Sequence, residues 1–146
     1  MKTKKIAVGC DHAGFEYKEL IKEFLAKDGY EVKDFGTFSL DSVDYPDFVH
    51  PLSISIEKGE FELGVLICGS ANGVSITANK HQQIRAAIVW NNQLAALARQ
   101  HNDANIICLP SRFIEPQQAL EFTKTFITTN FEGGRHKNRV DKIAVC

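Results

Sequence analysis

Five short apolar runs, each separated from the next by a stretch with helical spacing, set the limits on what this chain can fold into. The runs cover residues 5–9, 30–35, 63–68, 84–90 and 105–109. After the first run, Tyr17, Leu20, Ile21, Phe24 and Leu25 fall at i, i+3, i+4, i+7 and i+8, the stripe of a helix with one buried face. Gly29 is placed to close that helix as a C-cap. Pro46 fits the first turn of a second helix reaching to about Lys58, since a first-turn residue needs no N–H partner. Residues 74–80 and 92–100 read as further helices. Pro116 opens a last long one, with Ala119, Phe122, Thr123, Phe126 and Ile127 on one face. Strands alternating with helices require right-handed βαβ crossovers. The sequence therefore predicts a doubly wound, Rossmann-like α/β fold, a three-layer αβα sandwich around a five-stranded parallel sheet. The unbroken apolar run 63–68 predicts a strand buried on both faces. A length of 146 residues predicts one domain over residues 1–146.

Charge and cysteine content narrow the function. Lys and Arg number 17 against 18 Asp and Glu, a net −1 that lacks the cationic excess of a nucleic-acid or polybasic membrane binder. The longest apolar runs fall far short of the ~20 residues of a membrane span. The basic start, Met1, Lys2, Thr3, Lys4 and Lys5, leads into only a brief apolar stretch before Asp11 and His12, which is not a secretory signal. A cytoplasmic protein is expected. Cys10, Cys68, Cys108 and Cys146 contain no C-x-x-C pair, which argues against a structural zinc motif and a redox dithiol; no metal site is expected. The final segment, 133–146, is different. Arg135, Lys137, Arg139 and Lys142 against the single acid Asp141 leave it at +3 within a chain of −1. Its apolar residues are too few for an independent helix, so it must pack on something.

In a parallel sheet, ligands gather at the carboxyl ends of strands. Those ends carry Cys10-Asp11-His12, Cys68-Gly69-Ser70-Ala71-Asn72-Gly73 and Pro110-Ser111-Arg112. The second loop enters a helix, whose free amides and dipole favour an anion or oxyanion, although its glycines alone fit an ordinary turn equally well. A thiol at that position is placed to serve as base or nucleophile, or else is a small buried apolar group. Several known loops are excluded. A C-x5-R phosphatase loop would need Arg where Val74 stands, and neither G-x-S-x-G nor G-x-x-x-x-G-K-[ST] occurs. His101, after the fourth helix, is either a general acid or a helix-terminal cap, and Asp11 is either functional or an N-cap. Cys10, Cys108 and Cys146 read as structural. Arg135 and Arg139, four apart, suit a phosphate clamp on one helical face.

Together, Gly9-Cys10-Asp11-His12-Ala13-Gly14, Asp44-Tyr45-Pro46, the 68–73 loop, Ala78-Asn79-Lys80, Ile84-Arg85-Ala86, the run from Arg99 to Asn105 and Glu132-Gly133-Gly134-Arg135-His136 closely resemble the type B ribose-5-phosphate isomerase family, which includes galactose-6-phosphate isomerase subunits. The resemblance implies a cofactor-free aldose–ketose isomerase that interconverts ribose 5-phosphate and ribulose 5-phosphate through ring opening and a cis-enediolate. It implies Cys68 as the base and His101 as the acid that opens the furanose. Gly69, Ser70, Ala71, Asn72 and Gly73 match the loop that stabilises the enediolate oxygen. Asp11, His12, Tyr45 and Asn102 match sugar contacts, and Arg112, Arg135 and Arg139 match phosphate ligands. Relatives without the cysteine use a Glu just after the loop; Cys68 with Val74 places this chain with the cysteine-using kind. The resemblance implies a homodimer, or a dimer of such dimers, with each site built from both subunits and the C-terminal helical tail packed on the dimer partner. A six-carbon sugar phosphate, allose or galactose 6-phosphate, is the alternative substrate, and a non-catalytic sugar-phosphate-binding module the alternative function. Ala71 stands where relatives more often have Gly, and a positive φ there would strain it by ~1–2 kcal/mol.

Overall fold

The computed structural model describes residues 4–145, so Met1, Lys2, Thr3 and Cys146 lie outside the described residues. In chain order the elements are β1 (Lys5–Cys10), a 3-10 turn (His12–Gly14), α1 (Phe15–Lys27), β2 (Glu31–Asp34), α2 (Pro46–Glu57), β3 (Leu63–Cys68), α3 (Asn72–Ala78), β4 (Ala86–Ile88), α4 (Asn92–Asn102), β5 (Ile106–Pro110), α5 (Pro116–Thr128) and α6 (Arg135–Val140). The sheet has the order β2-β1-β3-β5-β4, and every neighbouring pair is parallel. From β1 the chain crosses by α1 to one side of the sheet, and from β2 it returns by α2 to the other side, so the connections diverge between β1 and β3. A crevice opens at the carboxyl ends of strands where connections part in this way.

Strand parity builds two cores. Ile6, Val8, Val65, Ile67, Ile107 and Leu109 face α1, α4 and α5. Ala7, Leu66, Cys68, Ile106 and Cys108 face α2 and α3. Every residue of β3 is buried, as its continuous apolar run predicts. Gly14 lets the 3-10 turn lie against β3, because a Cβ at this position would come within 2.5 Å of the Ile67 carbonyl oxygen.

The elements differ from their expected bounds in places with identifiable causes. The 84–90 run yields a ladder of only Ala86–Ile88, because β4 is an edge strand that pairs with β5 alone; Ile84 and Val89 are buried without joining it. The fourth helix continues through His101 and Asn102, and Asp103 closes it at φ 47°, tied to Arg99 at 2.9 Å. The third helix starts at Asn72, two residues before the apolar pattern begins.

A buried ion pair pins the long loop after β2. Lys18 is fully buried, and its ammonium lies 2.5 Å from Asp34 Oδ2, between the rings of Phe15 and Phe38. Lys22 donates to the same oxygen at 2.8 Å, and Oδ1 accepts from the Gly36 amide at 2.8 Å. Burial pushes the Asp34 carboxyl up, but the hydrogen bonds from Lys18, Lys22 and Gly36 outweigh it and hold the carboxyl below the ordinary value of 3.8. The folded state therefore binds this proton less readily than the unfolded chain does. Its stabilisation is complete above pH 3.8 and is lost as pH falls through the lower folded value. Urea unfolding below that pH should show a shallower acid slope for Asp34→Asn than for the natural chain.

Candidate active site

The crevice predicted by the strand order is present as a cavity of ≈ 520 Å³ lined by Asp11, His12, Tyr45, Cys68, Gly69, Ser70, Gly73 and Arg112, with Ala13 and Phe113. Its floor is the end of β3. Cys68 is 5% exposed, and its carbonyl accepts from the Ser111 amide at 2.9 Å, while the Gly69 carbonyl accepts from the Arg112 amide at 3.1 Å. The Arg112 side chain lies flat against Gly69, where an added Cβ would be 3.2 Å from the guanidinium. The thiol, the glycine loop and one cation are thus held together by backbone pairing between the ends of β3 and β5.

Asp11 takes both roles open to it. Its Oδ1 accepts from the amides of Ala13 at 2.9 Å and Gly14 at 3.2 Å, capping the 3-10 turn, and the residue still lines the cavity. His12 Nδ1 accepts from the Val43 amide at 3.2 Å, so the proton of the neutral ring sits on Nε2. Tyr45, at the start of α2, packs on Gly73, where a Cβ would come within 2.5 Å of the phenol ring. Ala71 has φ 67°, is fully buried and caps α3 from a left-handed conformation. The Asn72 amide donates to Ser70 Oγ at 3.2 Å, and the other first-turn amides have no partner within the helix. The alanine therefore keeps the positive φ that glycine adopts more readily.

Four of the expected site residues lie elsewhere in the same chain. His101 and Asn102 end α4, which runs into the amino end of β5, whereas Cys68 pairs with Pro110 at the carboxyl end of β5. Arg135 and Arg139 are exposed on α6, which packs beside α4. The His101 ring stacks on that of His136, with centroids 4.3 Å apart and planes within 14°. Glu132 Oε1 is 3.9 Å from His101 Nε2 and 3.7 Å from His136 Nε2. One chain thus holds the expected site residues in two separate groups, a thiol crevice and an imidazole–arginine cluster.

The model describing ribose/galactose isomerases matches residues 6–143. The chain belongs to this family. It is 43% identical over 139 residues to the probable ribose-5-phosphate isomerase B of Mycoplasma pneumoniae, covering 94% of this chain and 91% of that one. With the ribose-5-phosphate isomerase B of Escherichia coli it shares 41% identity over 140 residues, covering 96% and 94%. The crystal structure of a ribose 5-phosphate isomerase from Thermotoga maritima superposes with a TM-score of 0.96 at 46% identity, covering 99% and 100%. That of ribose-5-phosphate isomerase B from Mycoplasma genitalium with bound ribulose-5-phosphate gives 0.94 at 40% identity, covering 98% and 95%.

Ala13 and Phe113 are cavity residues that sequence reasoning missed; each is the immediate neighbour of a residue it did single out. The remaining described cysteines take structural positions. Cys10 points to the α1 face, and burial pushes its thiol up to about 12. Cys108 is fully buried and is raised further, first by burial and then by its neighbour Cys68. Iodoacetamide on the folded protein, read by peptide mass spectrometry, should therefore label Cys68 well before Cys10 or Cys108, a difference that urea should erase.

Proposed function

We propose that this chain is a cytoplasmic ribose-5-phosphate isomerase, acting as one domain and building each active site from two copies of itself. The family, the full-length similarity to ribose-5-phosphate isomerases and the ribulose-5-phosphate complex of the Mycoplasma genitalium relative support the reaction. The observation that carries the assembly is the division of the site. Cys68 lies at one end of the sheet, while His101, Asn102, Arg135 and Arg139 lie at the other and face outward. Pairing through a two-fold axis brings the crevice of each copy to the cluster of the other, carried by a tail that already packs beside α4 of its own chain.

The steps follow from the residue types. His101 of one copy protonates the furanose ring oxygen as the C1 hydroxyl gives its proton to solvent water and the C1–O bond to the ring oxygen breaks, giving the open aldehyde. Cys68 of the other copy, as thiolate, takes the C2 proton, and the resulting enediolate oxygen is met by the amides of the 69–73 loop. A proton passes from O2 to O1, and the Cys68 thiol returns its proton to C1, which gives the ketose and regenerates the thiolate. General acid–base catalysis supplies ~10²–10⁴-fold, so the preorganised amides contribute a comparable or larger share. Arg112 with Arg135 and Arg139 holds the phosphate, while Asp11, His12, Tyr45 and Asn102 orient the hydroxyls.

Cys68→Ala and His101→Asn, purified separately, should each lose at least ~10²-fold in kcat with folding intact. Refolded together, they should recover roughly a quarter of natural activity, because half of randomly paired dimers are hybrids with one complete site of two. No recovery would remove the shared site, and full activity of Cys68→Ala would remove the assigned base. The family description names galactose as well as ribose, so kcat/KM measured in parallel on ribose 5-phosphate and on allose and galactose 6-phosphates decides the sugar.

A further inference from the structure

An acid that opens a sugar ring must present its N–H along one direction, yet the His101 side chain is 40% exposed at the end of a helix, where its ring would otherwise turn freely. A second imidazole holds the ring. His136 is 7% exposed and stacks on it with centroids 4.3 Å apart and planes 14° apart. The backbone is shaped to place it. Glu132 donates its amide to the Gln100 carbonyl at 3.1 Å, tying the segment to the last turn of α4. Gly133 and Gly134 then take φ 70° and 56° with open space where a Cβ would be, so the glycines serve the turn and not close packing. The His136 amide bonds to the Gly133 carbonyl at 3.1 Å and starts α6 with the ring over His101.

We infer that His136 is a positioning residue, whose stacked ring fixes the plane in which His101 delivers its proton to the furanose oxygen. This rests on His101 being the ring-opening acid. Burial, then His101 and then Arg135 lower the pKa of His136 below its ordinary value, against Glu132, and so favour its neutral form. The ligand atoms of His101, Glu132 and His136 lie within 4.8 Å of one another. The geometry is nevertheless that of a stack and not of a metal site: imidazole lone pairs lie in the ring planes, and two near-parallel planes cannot both contain one ion.

Ribulose 5-phosphate separates the two halves of the reaction. Its C5 oxygen carries the phosphate, so it is open-chain, and exchange of its C1 hydrogen in D2O reads the Cys68 proton transfer without ring opening. His136→Ala should lower kcat for ribose 5-phosphate by about ten- to a hundredfold while leaving C1 exchange within about threefold, and His136→Phe, which keeps a flat ring, should restore most of the loss. Equal loss in both assays, no loss in either, or a Phe variant no better than Ala overturns the inference. His101→Asn distinguishes the layers. If it shows the split and His136→Ala does not, only this inference fails; if it shows no split, the role given to His101 fails with it.

Discussion

The parallel ladder between β1 and β3 is the constraint from which the rest of the molecule follows. It fixes which residues of each strand face which helical layer, and because the connections on its two sides run in opposite directions, the strand ends there are left uncovered. A crevice is then unavoidable, and evolution has only to choose what lines it. The same ladder separates two cysteines that look alike in sequence. Cys10 is paired with Ile67, so it turns toward α1 and is sealed; Cys68, one residue further along β3, turns toward α2 and α3 and meets the cavity. A single step of register would turn both to the same face of the sheet.

Much of this was legible in the chain. The apolar period announces the strands and helices, and the convergence of Asp11, Cys68 and Arg112 follows from placing strand ends on a common edge. What did not follow from periodicity was length: the 84–90 run has the composition of a full strand, but an edge position gives it one ladder and three residues. Nor could local pattern say that His101 and Cys68 sit at opposite ends of the sheet in one chain. That distance belongs to topology, and only the direction of α4 relative to β5 reveals it. The glycines tell a similar story. Gly14 and Gly73 are each required by one specific neighbour, a backbone carbonyl of β3 or the ring of Tyr45.

Ala71 shows the converse. The position bears a left-handed backbone with a side chain that disfavours it, and the methyl is fully buried among the residues between the sheet and α3. Burial of the methyl and strain of the backbone are of similar size, ~1 kcal/mol each, so the substitution is near neutral for folding while leaving the loop less free than a glycine would.

The ion pair beneath the loop after β2 bears on the crevice from outside it. Residues 36–45 form no helix or strand, yet they carry the amide that orients His12 and, at their end, Tyr45. The start of that stretch is anchored by the Gly36 amide to Asp34, and Asp34 to the sunken ammonium of Lys18. One wall of the crevice is therefore a rope moored to a charge on the far side of the sheet edge, and its tautness depends on a post that never touches the cargo.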